Sequence, residues 1–477
     1  MKKSIIAIFI SSITVISVQA QNKKWTLRQA VDYALINNIS VKQSELNYEN
    51  TKVDKKDAFG NFIPSLNGSA SHQWSIGLNQ NITTGLLENQ TVQFTSVGLN
   101  SNLTVFDGLR NINTLRRANL AILASQYRLD KMKDDISLSI VNAFLQIVFN
   151  RESLNTILYQ NQLTAEQEKR TKELVDAGSL PKGDLLDVQA TDASEKQRII
   201  VAENNLKLSK IALAQLMLIK DYENFEIQDE EFIVPQPVML AKNPKEIFES
   251  AKENRSEIKI AETDVKVAEK DLAIYRGASY PQLNAFYGYN TRASNSETIA
   301  GFIPDTNNPF TQIGTVESTG EAVVAPNFQR LVGGPDNIID QFTRNDGHSF
   351  GFQLSIPFFN GFQTANSIKR SKVSLERAKA QLEQDKLDLE SNVYQAYYDA
   401  QGAYRSYESA QKALTARQEA FKYSSQRYEV GLMNAFDYLQ AKTALETAES
   451  EVVRSKFDYI FKLKVLEIFF GVPVNQL

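Results

Sequence analysis

Few residues of this chain have the chemistry of a catalyst. There are two histidines, His72 and His348, and no cysteine in 477 residues. Thiolate metal sites, cysteine nucleophiles, disulfides and a lipidated cysteine are therefore excluded. Neither histidine has a second ligand at a metal-binding spacing, no glycine loop cradles a phosphate, and no nucleophile has a base beside it. These absences argue against an enzyme and against any catalytic, cofactor or metal site. The informative ionisable residues are two aspartates. Asp184 stands six residues after Gly178, and Asp437 six after Gly431. An acid in the first turn of a helix is stabilised by exposed N–H groups and the helix dipole, typically by about 0.3–1 kcal/mol. Asn434 as cap with Asp437 at the third position is a start signal of that kind. This local reading accounts for both aspartates.

The paired aspartates belong to a longer repeat. Gly98, Gly108, Gly178 and Asp184 return 253 positions later as Gly351, Gly361, Gly431 and Asp437. Earlier in the chain Ala34 and Pro64 return 217 positions later as Ala251 and Pro281. Register held over such stretches predicts two copies of one structural unit, with 36 residues inserted between Pro281 and Gly351. The expected organisation is a signal peptide over 1–20, a first repeat over 21–242 and a second over 243–477. The first repeat reads as helices over 26–60, strands 65–77 and 94–106, long helix 108–177, returning helix 183–218 and an acidic, irregular linker 219–242. The second reads as helices over 244–277, strands 282–292 and 348–359, long helix 361–430 and returning helix 434–470.

The first twenty residues have the form of a secretory signal. Lys2 and Lys3 precede an apolar core, and Val18-Gln19-Ala20 is a small-x-small cleavage site. No later run of about twenty apolar residues could form a spanning helix. The formal charge of −4 argues against nucleic acid as a partner.

After Pro64 and Pro281 the hydrophobic period changes to two. Leu66, Gly68, Ala70, His72, Trp74 and Ile76 alternate with polar residues, as do Val97, Leu99, Leu103 and Val105. Leu283, Ala285, Tyr287 and Tyr289 do the same, followed by Phe350, Phe352, Leu354, Ile356 and Phe358. Length and alternation fit transmembrane barrel strands, lipid-facing on one side and lumen-facing on the other; a soluble sheet with one buried face alternates likewise. Trp74, Tyr287 and Tyr289 suit a membrane-interface belt or plain burial. Four strands cannot close a barrel, since the smallest bacterial ones have about eight. An open edge in lipid leaves backbone groups unpaired, so several chains must share one barrel. Residues 293–347 read as an irregular surface loop, with 79–90 as its shorter counterpart. From Leu109 to Ala177 there is neither Gly nor Pro, and from Phe362 to Val430 only Gly402. Each stretch would make roughly 100 Å of helix. The first carries two apolar stripes, Ile136, Ile140, Ala143, Phe144 and Ile147 beside Leu138, Val141, Leu145 and Val148, as a helix with two neighbours does. In the second, Ala396, Ala400, Ala403, Ala410 and Ala413 permit close approach.

The signal peptide, two hairpins, two very long helices and paired glycine–aspartate reversals together resemble the TolC-type outer-membrane efflux proteins, or outer membrane factors, over essentially all of Gln21 to Val474. The resemblance implies a mixed α + β membrane protein in the cell outer membrane with its helical part in the periplasm. It implies a homotrimer in which four strands per chain form a shared 12-stranded β-barrel, continued by a long α-helical barrel. It implies a passive duct of a tripartite efflux or type I secretion system, fed by a periplasmic adaptor (membrane fusion) protein and an inner-membrane RND or ABC pump. Asp437 matches an acidic position lining the constriction. A second acid of the family pattern is Gln440 here, so a charged ring is weaker. Tyr428 and Asp184 match positions in links that hold the closed state, but the arginine that pairs with the latter is replaced by Met433. Gly178, Leu180, Gly431 and Leu432 match the helix tips that meet the adaptor. If three Asp437 side chains converge, like charges raise one another's pKa or attract a cation. The alternatives are a periplasmic adaptor, which would need one hairpin between compact β-domains, and a surface coiled-coil scaffold or adhesin, which leaves the repeat unexplained.

Overall fold

The computed structural model describes residues 24–81, 85–229 and 234–472. The leader read over 1–20 lies outside the described residues. In chain order the elements are β1 (Lys24–Trp25), α1 (Leu27–Asn37), α2 (Ile39–Gly60), β2 (Ser65–Gln80), β3 (Leu87–Phe106), α3 (Arg110–Asp176), α4 (Lys182–Leu216) and β4 (Glu226–Ile227). There follow α5 (Pro244–Asn254), α6 (Ser256–Gly277), β5 (Gln282–Ser294), β6 (Thr298–Pro304), β7 (Phe310–Thr315), β8 (Ala322–Pro326) and β9 (Phe328–Gly333). The last are α7 (Ile338–Arg344), β10 (Gly347–Ser355), α8 (Gln363–Glu429) and α9 (Ala435–Phe470). The helices recur with matched lengths: α1 and α5 have 11 residues, α2 and α6 have 22, α3 and α8 have 67, and α4 and α9 have 35 and 36.

The described residues divide into two compact units. One comprises those of Met1–Thr51, Leu120–Val265 and Arg377–Leu477, the other Lys52–Asn119 and Lys266–Glu376. The first unit is helical. Its largest core joins Ala30, Val31 and Ala34 of α1 to Ile140, Val141, Phe144, Leu145, Ile147 and Val148 of α3, Leu213 and Ala214 of α4, and Phe457 and Ile460 of α9. Both apolar stripes of α3 are thus buried along this stretch. A second cluster packs Ile247, Ala251 and Ile258 against Leu389, Val393, Tyr397 and Ala400 of α8. Of the α8 alanines, Ala400, Ala403 and Ala410 are buried, whereas Ala413 is exposed.

The helical stretches expected over 26–60 and 244–277 are each divided in two, α1 with α2 and α5 with α6. Asn38 (ψ 133°) and Arg255 (ψ 132°) are extended and interrupt them at corresponding places. Asn38 is held there by local and distant bonds. Its amide donates to the Leu216 carbonyl (3.1 Å), and its side-chain oxygen accepts from the Ser40 N–H (2.8 Å). Arg255 forks onto Glu257 (3.0 and 2.5 Å). The linker 219–242 also carries structure: β4 pairs in parallel with β1, and a 3₁₀ turn spans Met239–Ala241.

The second unit holds a four-stranded antiparallel sheet in the order β10-β5-β3-β2. The first hairpin runs further than its sequence alternation, to Gln80 and from Leu87, so its loop is shorter than 79–90. The last strand stops at Ser355, two residues before Pro357, rather than at 359. Residues 293–347 are not irregular. Within them β6 pairs with β9 and β7 with β8, and α7 follows. The prolines that read as breakers end these short ribbons: Pro304 faces Phe328 and Pro326 faces Phe310 at their termini, where a missing N–H is tolerated.

Phe144, fully buried at the centre of the first core, gives the simplest test of the helical unit. Phe144→Ala is expected to cost about 3–5 kcal/mol, seen as a lowered thermal midpoint of the detergent-solubilised protein, and Phe144→Leu should recover most of it.

Candidate functional site

Two regions bear on function, the sheet and the helix reversals. Residues directly opposite across paired strands point to the same face. Leu66 faces Ser101, Gly68 faces Leu99, and Leu99 faces Tyr289, which faces His348. The register therefore collects Leu66, Ala70, Trp74, Ile76, Val97, Leu99, Leu103, Leu283, Tyr287, Tyr289, Phe350, Phe352 and Leu354 on one face. The other carries Asn67, Ser69, Ser71, Asn100, Asn102, Asn284, Gly288, Asn290 and Gln353. The apolar face is uncovered: Trp74 is 60% exposed, Phe352 73% and Phe350 81%. Both histidines lie on it. The His72 Nδ1 is 2.7 Å from Thr95 Oγ1, with its ring edge-on to Trp74, and the His348 Nδ1 is 2.9 Å from the Tyr287 hydroxyl. Among the described residues no cluster could hold a metal ion, and no helix is long and apolar enough to cross a membrane.

The reversals lie in the helical unit, and both use the same backbone device. Gly178 (φ 77°) and Gly431 (φ 74°) take the left-handed conformation. Gly178 and Ser179 donate back to the carbonyls of Val175 (2.9 Å) and Leu174 (2.8 Å). Gly431 and Leu432 donate likewise to Tyr428 (3.0 Å) and Arg427 (2.8 Å). These are Schellman closures, which satisfy the last helical carbonyls. Asn434 then caps α9, accepting from the Asp437 N–H (2.8 Å) while its amide donates to the Asp437 carboxylate (3.0 Å). Asp437 and Gln440 are exposed, Asp184 half-buried in the first turn of α4. Neither aspartate is ion-paired among the described residues. Leu432 is 70% exposed, whereas Leu180 and Met433 are half-buried. Tyr428 stacks on Tyr438 (4.5 Å between ring centres), and its hydroxyl is buried with no hydrogen-bond partner among the described residues. Burial, with Tyr428 and Glu429 nearby, pushes the Tyr438 phenol above its usual range. Phe436, 72% exposed on the first turn of α9, is a further tip residue that the glycine–aspartate pattern does not single out.

A buried polar network joins α3, α4 and α9. Lys442, almost fully buried, donates to Thr164 Oγ1 and to Glu195 Oε1 (3.0 Å), and Thr164 donates to the same Glu195 oxygen (2.7 Å). Asn161 bridges Asp192 and Glu195. Burial tends to raise the Asp192 pKa, but hydrogen bonds from Lys196 and Asn161 outweigh it and hold the carboxyl low. Glu446 Oε1 is 2.9 Å from the Lys442 ammonium but off the line a hydrogen bond requires, so it has no aligned donor. Burial raises the Glu446 pKa despite Lys442. In the sequence, Lys442 and Glu446 are an ordinary i,i+4 pair of the kind found on exposed helix faces; only the packing of α3 and α4 makes them interior.

The outer membrane efflux protein family model matches residues 30–217 and 247–460. Among solved structures the fold is similar to the CusC channel, at 15% identity and TM-score 0.76, covering 94% of this chain and 92% of that one. It is similar to VceC of Vibrio cholerae, at 15% identity and TM-score 0.72 over 93% and 96%. It is also similar to a Pseudomonas aeruginosa membrane protein, at 17% identity and TM-score 0.73 over 94% and 91%. Comparison with curated proteins finds no match.

Removing the one buried cation of the network should expose its energetics. Lys442→Met leaves Glu195 buried without a charged partner and Glu446 with only the more distant, partly exposed Arg198 (3.8 Å), at an expected cost of about 3–5 kcal/mol. Because the folded-state pKa of Glu446 is raised, folding favours its protonated form, and its contribution to stability is lost as pH rises through that pKa. The Lys442→Met loss is thus expected to be largest at neutral pH and to shrink as acid protonates Glu446. Thermal melts across the pH range read both.

Proposed function

The chain belongs to the outer membrane efflux protein family, and from that premise we propose that three copies form one passive exit duct across the outer membrane and periplasm. It is an outer-membrane transport protein and not an enzyme. One observation carries the trimeric reading. The sheet has a largely uncovered apolar face, with Trp74, Phe350, Phe352 and Leu354 exposed, and its outer strands β2 and β10 pair with no further strand among the described residues. Each unpaired backbone group in hydrocarbon costs several kcal/mol, so a four-stranded sheet in lipid requires neighbours. Three copies supply twelve strands for a shared barrel. The matched helix lengths support two repeats of one unit per chain, so each copy adds two equivalent segments to the wall. Asn, Ser, Gln and Gly make up most of the inner face, with Phe94, Phe286 and Arg292 among them, a largely polar surface of the kind that lines a lumen.

The helices of the three copies continue the passage in the periplasm. The exposed Leu432, together with Gly178, Leu180 and Gly431 at the two reversals, suits contact with a periplasmic adaptor. The energy comes from an inner-membrane RND or ABC pump, in an efflux or type I secretion assembly. Asp437 narrows and charges the periplasmic entrance, with Gln440, Asp184 and Tyr428 around it. The stacking of Tyr428 on Tyr438, together with an uncharged Met433 and unpaired aspartates, supports a closed state held by packing more than by salt bridges.

Two measurements test this reading. Native mass measurement of the protein extracted from outer membranes into detergent is expected to give three chains; a monomer would overturn the duct. In planar bilayers Asp437→Ala is expected to raise single-channel conductance and weaken block by divalent cations. Unchanged conductance and unchanged block would remove Asp437 from the constriction.

A further inference from the structure

The sheet unit contains one junction that is closed within the chain and the parts of a second that is open. In the closed junction, the turn after β3 presses against the end of α6. A Cβ on Gly108 would lie 2.3 Å from the Gly277 carbonyl oxygen and 2.8 Å from Tyr280 Cβ. One on Gly277 would lie 2.4 Å from Arg110 Cγ and 2.8 Å from the Gly108 oxygen. Only glycine fits on either side. Beyond the glycines Arg117 of α3 pairs with Asp271 of α6 (2.5 Å), and above them β3 pairs with β5.

The glycines, the left-handed turn and the ion pair of this junction each have a counterpart at the repeat spacing, while Arg110 and Tyr280 correspond to Gln363 and Ile63. Gly361 and Phe362 (φ 61° and 66°) repeat the left-handed turn of Gly108 and Leu109 (φ 71° and 67°). Gly60 ends α2 as Gly277 ends α6, while Arg370 and Asp54 stand where Arg117 and Asp271 stand. These counterparts do not meet. A Cβ on Gly60 or Gly361 would touch nothing within 4 Å. Arg370 donates only to Ser367 Oγ (3.0 Å), and Asp54 is exposed with no ion pair among the described residues. Gly60 is the most telling. It is helical, without the left-handed φ that favours glycine, and it has open space around it. No close approach within the lone chain calls for glycine at this last residue of α2.

We propose that this half-junction is completed by a second copy of the chain, with the geometry of the internal one. The proposal rests on the shared-barrel reading and specifies its seam. Gly361 of one copy presses on Gly60 of the next, Arg370 pairs with Asp54, and β10 adds to β2 in a defined register. Inside the chain Gly98 faces Asn290 and Asn100 faces Gly288. Carried to the counterparts, Gly351 faces Gln73 of the next copy and Gln353 faces Ser71. Phe350, Phe352 and Leu354 then face Trp74, His72 and Ala70, which keeps the apolar face continuous across the seam. A slip of one residue would turn every side chain to the wrong face. The contact is head-to-tail, one edge strand against the opposite edge of the next copy, which closes into a ring when the rotation allows.

Because the native chain has no cysteine, paired substitutions read the seam directly. Opposed residues in antiparallel strands have Cα atoms about 4.5–5.5 Å apart, within disulfide range. Gln353 and Ser71 lie on opposite edge strands of one sheet, so a bond between them must join two copies. In the outer membrane, the double variant Ser71→Cys with Gln353→Cys is expected to shift from the monomer to two and three times its mass on non-reducing gels. The displaced pairs, Gln353→Cys with Ser69→Cys or Gln73→Cys, should stay mainly monomeric. Crosslinking by a displaced pair instead overturns the register while leaving the ring intact. No crosslinking in a protein whose native mass is still three chains overturns the seam, and a monomeric native mass overturns the shared barrel itself. As a second variant, Gly60→Leu meets open space in a single chain, so it is expected to fold yet lose the three-chain species. Full retention of that species would count against the glycine contact.

Discussion

The constraint on which this structure depends is the unpaired backbone of two strands. β2 and β10 form the edges of a sheet with only four members, and the row of aromatic and aliphatic side chains on one face has no cover. In water such a face aggregates, and in lipid such edges leave N–H and C=O groups without partners. Charges, bulges or a covering helix can blunt an exposed edge in a soluble protein. Here the edge strands carry Ser, Asn, Gln and large apolar residues in strict alternation and no Lys, Glu or Asp between Ser65 and Gln80 or between Gly347 and Ser355. An edge built this way is suited to pairing.

The helical unit answers a different requirement, since it must hold long helices together without a compact core. It does so with separate apolar clusters. One gathers α1, α3, α4 and α9; the other gathers α5, α6 and α8 with Leu466. The extended residues Asn38 and Arg255 let each short helix, α1 or α5, set its apolar face into its cluster while the following helix takes a new phase. One breaks the helix to reach a carbonyl 178 residues away, the other to bind a carboxylate two residues on. The same local outcome is thus reached by unlike side chains.

This explains what was legible beforehand. The family, the change of period after Pro64 and Pro281, and the reversals at Gly178 and Gly431 are written in local chemistry: a left-handed position, a cap, an alternation. Thr26, Asn243 and Asn434 each accept the hydrogen bond their surroundings call for. The breaks at Asn38 and Arg255 were not legible, because neither is a breaker and the apolar spacing gives no warning; their partners are set by folding. The ribbons within 293–347 were hidden by prolines that end strands as readily as they prevent them. At the candidate site, the glycines and aspartates could be read from spacing, whereas the burial of Lys442 could not. Glu195, which makes Lys442 interior, lies 247 residues away.

That buried network also bears on where the helical unit can move. Near Phe144 and Ile460 the helices are joined by fully buried apolar side chains, and separating them would expose all of that surface. Towards the reversals buried polar residues, Gln160, Thr164, Thr171, Asp192, Glu195, Lys442 and Glu446, are interleaved with the few apolar ones, Val188, Ala435 and Tyr438. Hydrogen-bonded polar groups lose little when water replaces their partners, and a carboxyl strained by burial, as Glu446 is, gains from hydration. The free energy of local opening therefore falls along the helices from the apolar clusters to the tips. A rigid apolar girdle is thus followed along the helices by contacts that water or another protein can replace at smaller cost.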